Sequence, residues 1–189
     1  GLGVPVAGRT VLVAGPDLPS GGAEVAALAT RLRAPEVLVG SQATVDQALA
    51  ALDGAAVAHI AAHGRYRADS PTFSSLALAD GPLTVHDVER LGRAPYRVVL
   101  SACDSGVMAP VGANELLGLA TALLAGGSAG VVCSVTEVND GATVPLMVDL
   151  HEGLARGGRP DELLLAARRA AGNDPLGAAT AAAFTLIGG

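Results

Sequence analysis

The sequence predicts an α/β fold built on a mainly parallel sheet, and two observations carry that prediction. Short continuous apolar runs recur at residues 10–14, 36–39, 57–62, 97–101, 130–135 and 183–187. Runs of this kind fit strands buried on both faces. Stretches of helical periodicity separate most of them, the alternation expected of βαβ units. With half of its 189 residues hydrophobic but only two Phe, two Tyr and no Trp, the chain must fill its core with Ala, Val and Leu.

Residues 1–8 are punctuated by Gly and Pro and read as a leader or linker, leaving 9–189 as one domain of a size that can bury a sizeable core. Gly15-Pro16 stops the first strand, and Val25, Leu28, Ala29 and Leu32 then recur at helical spacing over 23–32. The Gly-rich turn between them, 15–22, lacks both G-x-G-x-x-G and the Lys-Ser/Thr ending of a phosphate loop, so it carries no nucleotide signature. Thr44 to Gln47 has the form of a capping box, and the helix behind it presents Val45, Ala48, Leu49 and Leu52 on one face before Gly54 ends it. Residues 65–75 read as a polar rim loop and 76–83 as a hairpin turning at Asp80-Gly81. Thr84 can cap a short helix through Leu91, and an apolar helix over 114–125 carries Glu115 in its first turn. Asn139, Asp140 and Thr143 compete to cap the next helix, which ends near Gly153. Pro145 fits only a first turn, so it favours Thr143, or a kink if the helix starts earlier. A last helix begins at Pro160 and runs to about residue 171.

Bulk properties exclude several classes. A net charge of −6 with interspersed signs leaves no footprint for nucleic acid or an anionic membrane. Two cysteines make no disulfide framework and no charged-then-apolar leader opens the sequence, so a reducing cytoplasm is expected. The longest uncharged stretch, 116–136, is divided by Gly126-Gly127-Ser128 into a helical and a strand-like half, which argues against a membrane span. His59 and His63 lie on a strand about 13 Å apart, too far to share one ion, so no metal is expected, and no cofactor is expected either. His59 reads as a structural histidine inside the sheet, His86 and His151 as surface residues, and Cys133 as a small hydrophobe. Arg65, Asp69 and Asp104 read as solvated rim charges.

The chemistry gathers at two strand ends. Residues 97–106, R-V-V-L-S-A-C-D-S-G, end an apolar run at Cys103, and Val57 to Ala62 runs into His63-Gly64. In a parallel sheet all carboxyl ends lie on one side, where open α/β folds place their sites. If the two strands are neighbours, about 5 Å apart, thiol and imidazole can meet across the rim. A thiol of pKa about 8.5 is little ionised at neutral pH, and a nearby histidine stabilises the thiolate or passes a proton to the leaving group. Acyl transfer also needs oxyanion donors, which the backbone N–H groups of Gly64 and Cys103 can supply.

These residues resemble a known family. His63-Gly64, the segment Ser101-Ala102-Cys103-Asp104-Ser105-Gly106 and the strand before each are similar to the CHAT domain, a bacterial relative of caspases, separases and gingipains. The similarity extends over V-L-V-A-G-P, H-I-A-A-H-G, L-S-A-C-D-S-G, E-L-L-G-L-A, S-V-T-E-V-N-D and A-F-T-L-I-G, in that order along nearly the whole chain. It implies a caspase-like three-layer α/β/α sandwich with about six central strands, and cysteine peptidase chemistry with His63 as the dyad histidine and Cys103 as nucleophile. It also implies a module that is often the C-terminal part of a larger protein with helical repeats in front. Asp140 falls where the related separases place an acidic residue that binds a basic side chain before the cleaved bond; the alternative is that it only favours a helix N-terminus. Thr136, and Leu176 to Ala179, stand where the family usually has aromatic residues, which implies shallower pocket walls. Two functions follow: a cysteine endopeptidase acting on a protein substrate, with weak basal activity in isolation, or a proteolytically silent scaffold that binds a partner.

Overall fold

The computed structural model describes residues 8–65, 75–101, 114–136 and 140–189. Its elements in order are β1 (Thr10–Ala14), α1 (Pro19–Arg31), β2 (Glu36–Leu38), α2 (Val45–Leu52), β3 (Val57–Ala61), β4 (Gly64–Arg65), β5 (Ser75–Leu78), β6 (Gly81–Thr84), α3 (Val85–Val88), β7 (Arg97–Ser101), α4 (Asn114–Ala125), β8 (Gly130–Ser134), α5 (Asp140–Ala155), α6 (Pro160–Ala170), α7 (Pro175–Ala183) and β9 (Phe184–Gly188). A six-stranded sheet runs β2-β1-β3-β7-β8-β9, parallel throughout except for β9, which pairs antiparallel with β8 at the edge. A second sheet, β4-β5-β6, is antiparallel.

The pleat sorts alternate residues to two cores. Val11, Val13, Ala58, Ile60, Val98, Leu100, Val131 and Cys133 face α2, α3 and α4, meeting Ala48, Leu52, Val88, Leu119 and Leu123. On the other face, Leu12, Ala14 and Ala61 pack on Val25 and Leu28 of α1, while Val99 and Val132 pack on Met147, Leu150, Leu154 and Leu164 of α5 and α6. Three layers result, because the strands are apolar on both sides. Each fully buried Leu, Ile or Met stabilises the fold by roughly 1.5–3 kcal/mol, and among the described residues the interior holds many such side chains and one Phe, Phe184. Among the described residues no helix is long and apolar enough to cross a membrane.

Several boundaries differ from expectation for identifiable reasons. α1 starts at Pro19, with proline at its first position, so Gly21 and Gly22 belong to the helix rather than to a turn before it. α5 starts at Asp140 and contains Pro145, which forgoes the bond to the Gly141 carbonyl instead of fixing the start at Thr143. Helix α3 stops at Val88, although its capping box between Thr84 and Asp87 is formed in both directions. The hairpin pairs Leu78 with Gly81, so its turn is Ala79-Asp80, one residue earlier than expected. Asp80 Oδ1 then accepts the Val45 N–H at 2.8 Å and caps α2 from across the chain. Helix α7 was not expected, since its Ala-rich sequence carries little amphipathic period; Asp174 caps it by accepting from the N–H groups of Leu176 and Gly177.

One close approach fixes how the small sheet sits on the large one. Gly15 N–H donates to the Ala61 carbonyl at 2.8 Å, and a Cβ at Gly15 would lie 2.5 Å from the Ala77 carbonyl oxygen and 2.8 Å from the Ala62 Cβ. Backbone cannot yield there as a flexible side chain would. Gly15→Ala is expected to cost about 1–3 kcal/mol of stability, read from urea unfolding, and an unchanged midpoint would contradict this packing.

Candidate active site at the strand ends

Chain order in the main sheet reverses between β1 and β3, since β1 leads outward to β2 and β3 leads the other way to β7. Open α/β sheets bind their ligands outside the carboxyl ends of the strands at such a switch point. β3 and β7 are neighbours in register, Ala61 opposite Ser101, and the Ala62 N–H donates to the Ser101 carbonyl at 3.3 Å just beyond the ladder. His63 follows two residues after Ala61, and Cys103 two after Ser101 in sequence.

His63 is half-buried and held from two sides. Its carbonyl accepts the Ala77 N–H at 2.8 Å, which ties the residue to β5, and Gly64 opens β4 opposite Leu76. Its ring Nε2 lies 2.9 Å from the backbone carbonyl of Asp17, in the turn after β1. A carbonyl only accepts, so Nε2 carries the hydrogen and Nδ1 is the basic nitrogen of the neutral ring. Asp17 presents that carbonyl from a left-handed backbone, φ 57°, a conformation Asp tolerates better than most residues. The carboxyl ends of β1 and β3 thus orient the imidazole together.

The other expected site residues stand as follows. Cys103, Asp69 and Asp104 lie outside the described residues. Gly64 is at the rim beside His63, and Asp140 is the first residue of α5. Cys133 lies inside β8, where burial pushes its thiol up to about 11, so it is a poor nucleophile at neutral pH. His86 is on the surface beside Glu89. Among the described residues no group of His, Cys, Asp or Glu could hold a metal ion.

Below the rim, on the α1 and α5 face, lies a polar chain that sequence reasoning missed in part. His59 is fully buried, as expected of a histidine inside the sheet, but His151 is also buried rather than on the surface. The two rings touch, His59 Nδ1 to His151 Nε2 at 3.0 Å, in an edge arrangement. Glu24 of α1, buried as well, has Oε1 2.8 Å from His59 Nε2, a short but bent contact, and its Oε2 accepts the Ser101 hydroxyl at 3.2 Å. The signal was present in the periodicity. Glu24 precedes Leu28 by one turn on the apolar stripe of α1, and His151 shares the spacing of Met147, Leu150 and Leu154.

Burial, and then the neighbouring His59, hold His151 well below the ordinary histidine value of 6.5. Above that value neither the folded nor the unfolded chain protonates this residue. As pH falls below it, only the unfolded chain takes up the proton and stability is lost. Unfolding free energy is expected to fall as the pH is lowered from 7 through 6.5 and below, with His151 contributing to that loss. Denaturation of wild type and His151→Gln across that range checks it: the variant should show the flatter profile, and identical slopes would contradict the assignment.

Comparison with known proteins agrees with this fold. The family model described as the CHAT domain matches residues 3–188. No curated protein gives a sequence match. Among solved structures, a chain of the Saccharomyces cerevisiae separase–securin complex superposes with a TM-score of 0.66 at 15% identity. The alignment covers 98% of this chain and 12% of that one, so the likeness concerns the fold of one part of a much longer protein. With the family model matching almost end to end and the caspase-like sheet formed, the chain belongs to the CHAT domain family.

Proposed function

We propose that this CHAT domain is a cysteine endopeptidase that cleaves a protein substrate with Cys103 as nucleophile and His63 as its base. The observation that carries this reading is the His63 ring, fixed through Nε2 on the Asp17 carbonyl beside the strand that leads into Cys103. His63 takes the thiol proton, and the thiolate attacks the scissile carbonyl. The backbone N–H groups of Gly64 and Cys103 stabilise the oxyanion that forms. Collapse of that intermediate breaks the C–N bond, and the proton on His63 passes to the leaving amine. Water, deprotonated by the same imidazole, then hydrolyses the thioester and regenerates the thiol.

Asp140, at the head of α5, would select Arg or Lys before the cleaved bond through a charge-assisted contact. The yeast neighbour was solved with securin bound, which supports a protein partner here too, and a helical-repeat region of a larger protein is the regulator the reading favours. No cofactor takes part, and a reducing compartment such as the cytoplasm would keep the nucleophile free.

A peptide library, with Arg, Lys, Leu or Asp before the cleaved bond, tests the reading on wild type, Cys103→Ala and His63→Ala. Cys103→Ala should abolish turnover, His63→Ala should lower it on the order of 10²-fold or more, and basic residues should be preferred. Turnover that survives Cys103→Ala would refute the dyad, and equal cleavage after all four residues would remove the role of Asp140. Silence of wild type even with its partner present would favour a scaffold.

A further inference from the structure

We propose that Glu24 is a positioning residue for the candidate dyad, an inference that rests on the peptidase reading. Its side chain is buried to 3% exposure and is met from both strands that lead into the site. Ser101, the last residue of β7, donates its hydroxyl to Oε2 at 3.2 Å, and His59 of β3 brings Nε2 to 2.8 Å from Oε1. Ser101 stands two residues before Cys103, and His59 four before His63. Through His59, the chain of contacts continues to His151 of α5, the helix that Asp140 begins. One carboxylate is thus joined to the two strands that precede His63 and Cys103 in sequence and, through His59, to the helix that Asp140 begins.

α1 acts on the rim at two levels. The carbonyl of Asp17, just ahead of the helix, meets the His63 ring, and Glu24 inside the helix meets the strands beneath it. A buried carboxylate is costly, and a well-packed apolar side chain of similar volume is often as stable or more so. What Leu or Met could not supply is direction. Two oxygens with separate partners set how β3, β7 and α1 lie relative to one another near the strand ends. The influence is geometric: His59 is about 13 Å from His63 along the strand, whereas a reacting group displaced by 1 Å can cost about 10²-fold in rate.

Gln is the discriminating substitution, because it can satisfy the same partners without charge. Its carbonyl accepts from Ser101, its amide donates to His59 Nε2, and His59 Nδ1–H donates to His151. The experiment compares wild type, Glu24→Gln, Glu24→Ala, Ser101→Ala, Cys103→Ala and Leu164→Ala. Leu164 of α6, which contributes no polar group to this network, controls for lost packing alone. Peptide turnover is measured on folded protein, with hydrogen exchange at the Ala62 amide, which bridges to Ser101.

Glu24→Ala should lower kcat about tenfold or more with KM nearly unchanged and speed Ala62 exchange by a similar factor. Glu24→Gln should recover both to within about threefold, and Leu164→Ala should change neither beyond its global destabilisation. Ser101→Ala, which removes one arm only, should lose kcat several-fold and keeps the test open if Glu24→Ala does not fold. The inference is overturned if Glu24→Ala or Ser101→Ala turns over like wild type, if Leu164→Ala loses as much, or if Gln is no better than Ala. Wild type no faster than Cys103→Ala defeats the peptidase reading instead, and is told apart from these outcomes by that control.

Discussion

A carboxylate sealed in a protein core constrains everything around it. Glu24 is buried where His59 and Ser101 face it, and those partners come from two strands whose side chains must point to the same side of the sheet. His59 and Ser101 do so because β3 and β7 run parallel in a register that pairs Ala61 with Ser101. A slip of one residue in either strand would send that strand's partner to the opposite face and leave one carboxylate oxygen facing apolar side chains. The buried polar chain therefore helps to specify the register on which the rim depends, although an apolar core would be at least as stable in sum.

The rim inherits its layout from that register. In a parallel sheet the carboxyl ends share one side, and a switch in strand order like that between β1 and β3 is where open α/β sheets form their binding crevice. His63 follows β3 and is met by a backbone carbonyl from the turn after β1, while Gly15 lets the small antiparallel sheet close in behind. The contact with Asp17 also settles the imidazole tautomer, which leaves Nδ1 as the nitrogen that can act as base. Charge is handled differently at the two depths. His63 is half-buried at the rim, while fully buried His151 is kept neutral by burial and by its neighbour.

Much of this was legible in the sequence. The continuous apolar runs gave all six strands of the main sheet, because strands buried on both faces leave no polar alternation to confuse them. Helix α4 and β7 fell on their expected residues, and His63 on its expected strand end. Ends of helices were harder. Pro145 favours a later start by its missing N–H, but a helix already carried by core contacts tolerates one lost hydrogen bond, and α7 has too little periodicity to announce itself. Two strands of the small sheet were expected as a hairpin, whereas two-residue β4 was too short to read. His151 was misjudged because its residue type outweighed its place on the apolar stripe of α5. Glu24 was passed over for the same reason. In both, a polar residue at a core spacing was the sign of a buried network rather than of a solvated face.

Whether His63 activates Cys103 for attack on a peptide carbonyl is read by intact-mass and peptide-mapping spectrometry after incubation with a peptidyl electrophile that captures active-site thiols. A single adduct is expected on Cys103 in wild type, none on Cys133, whose buried thiol stays protonated near neutral pH, and labelling should slow on the order of 10²-fold in His63→Ala. Labelling of Cys103 at the same rate in wild type and His63→Ala would contradict that activation.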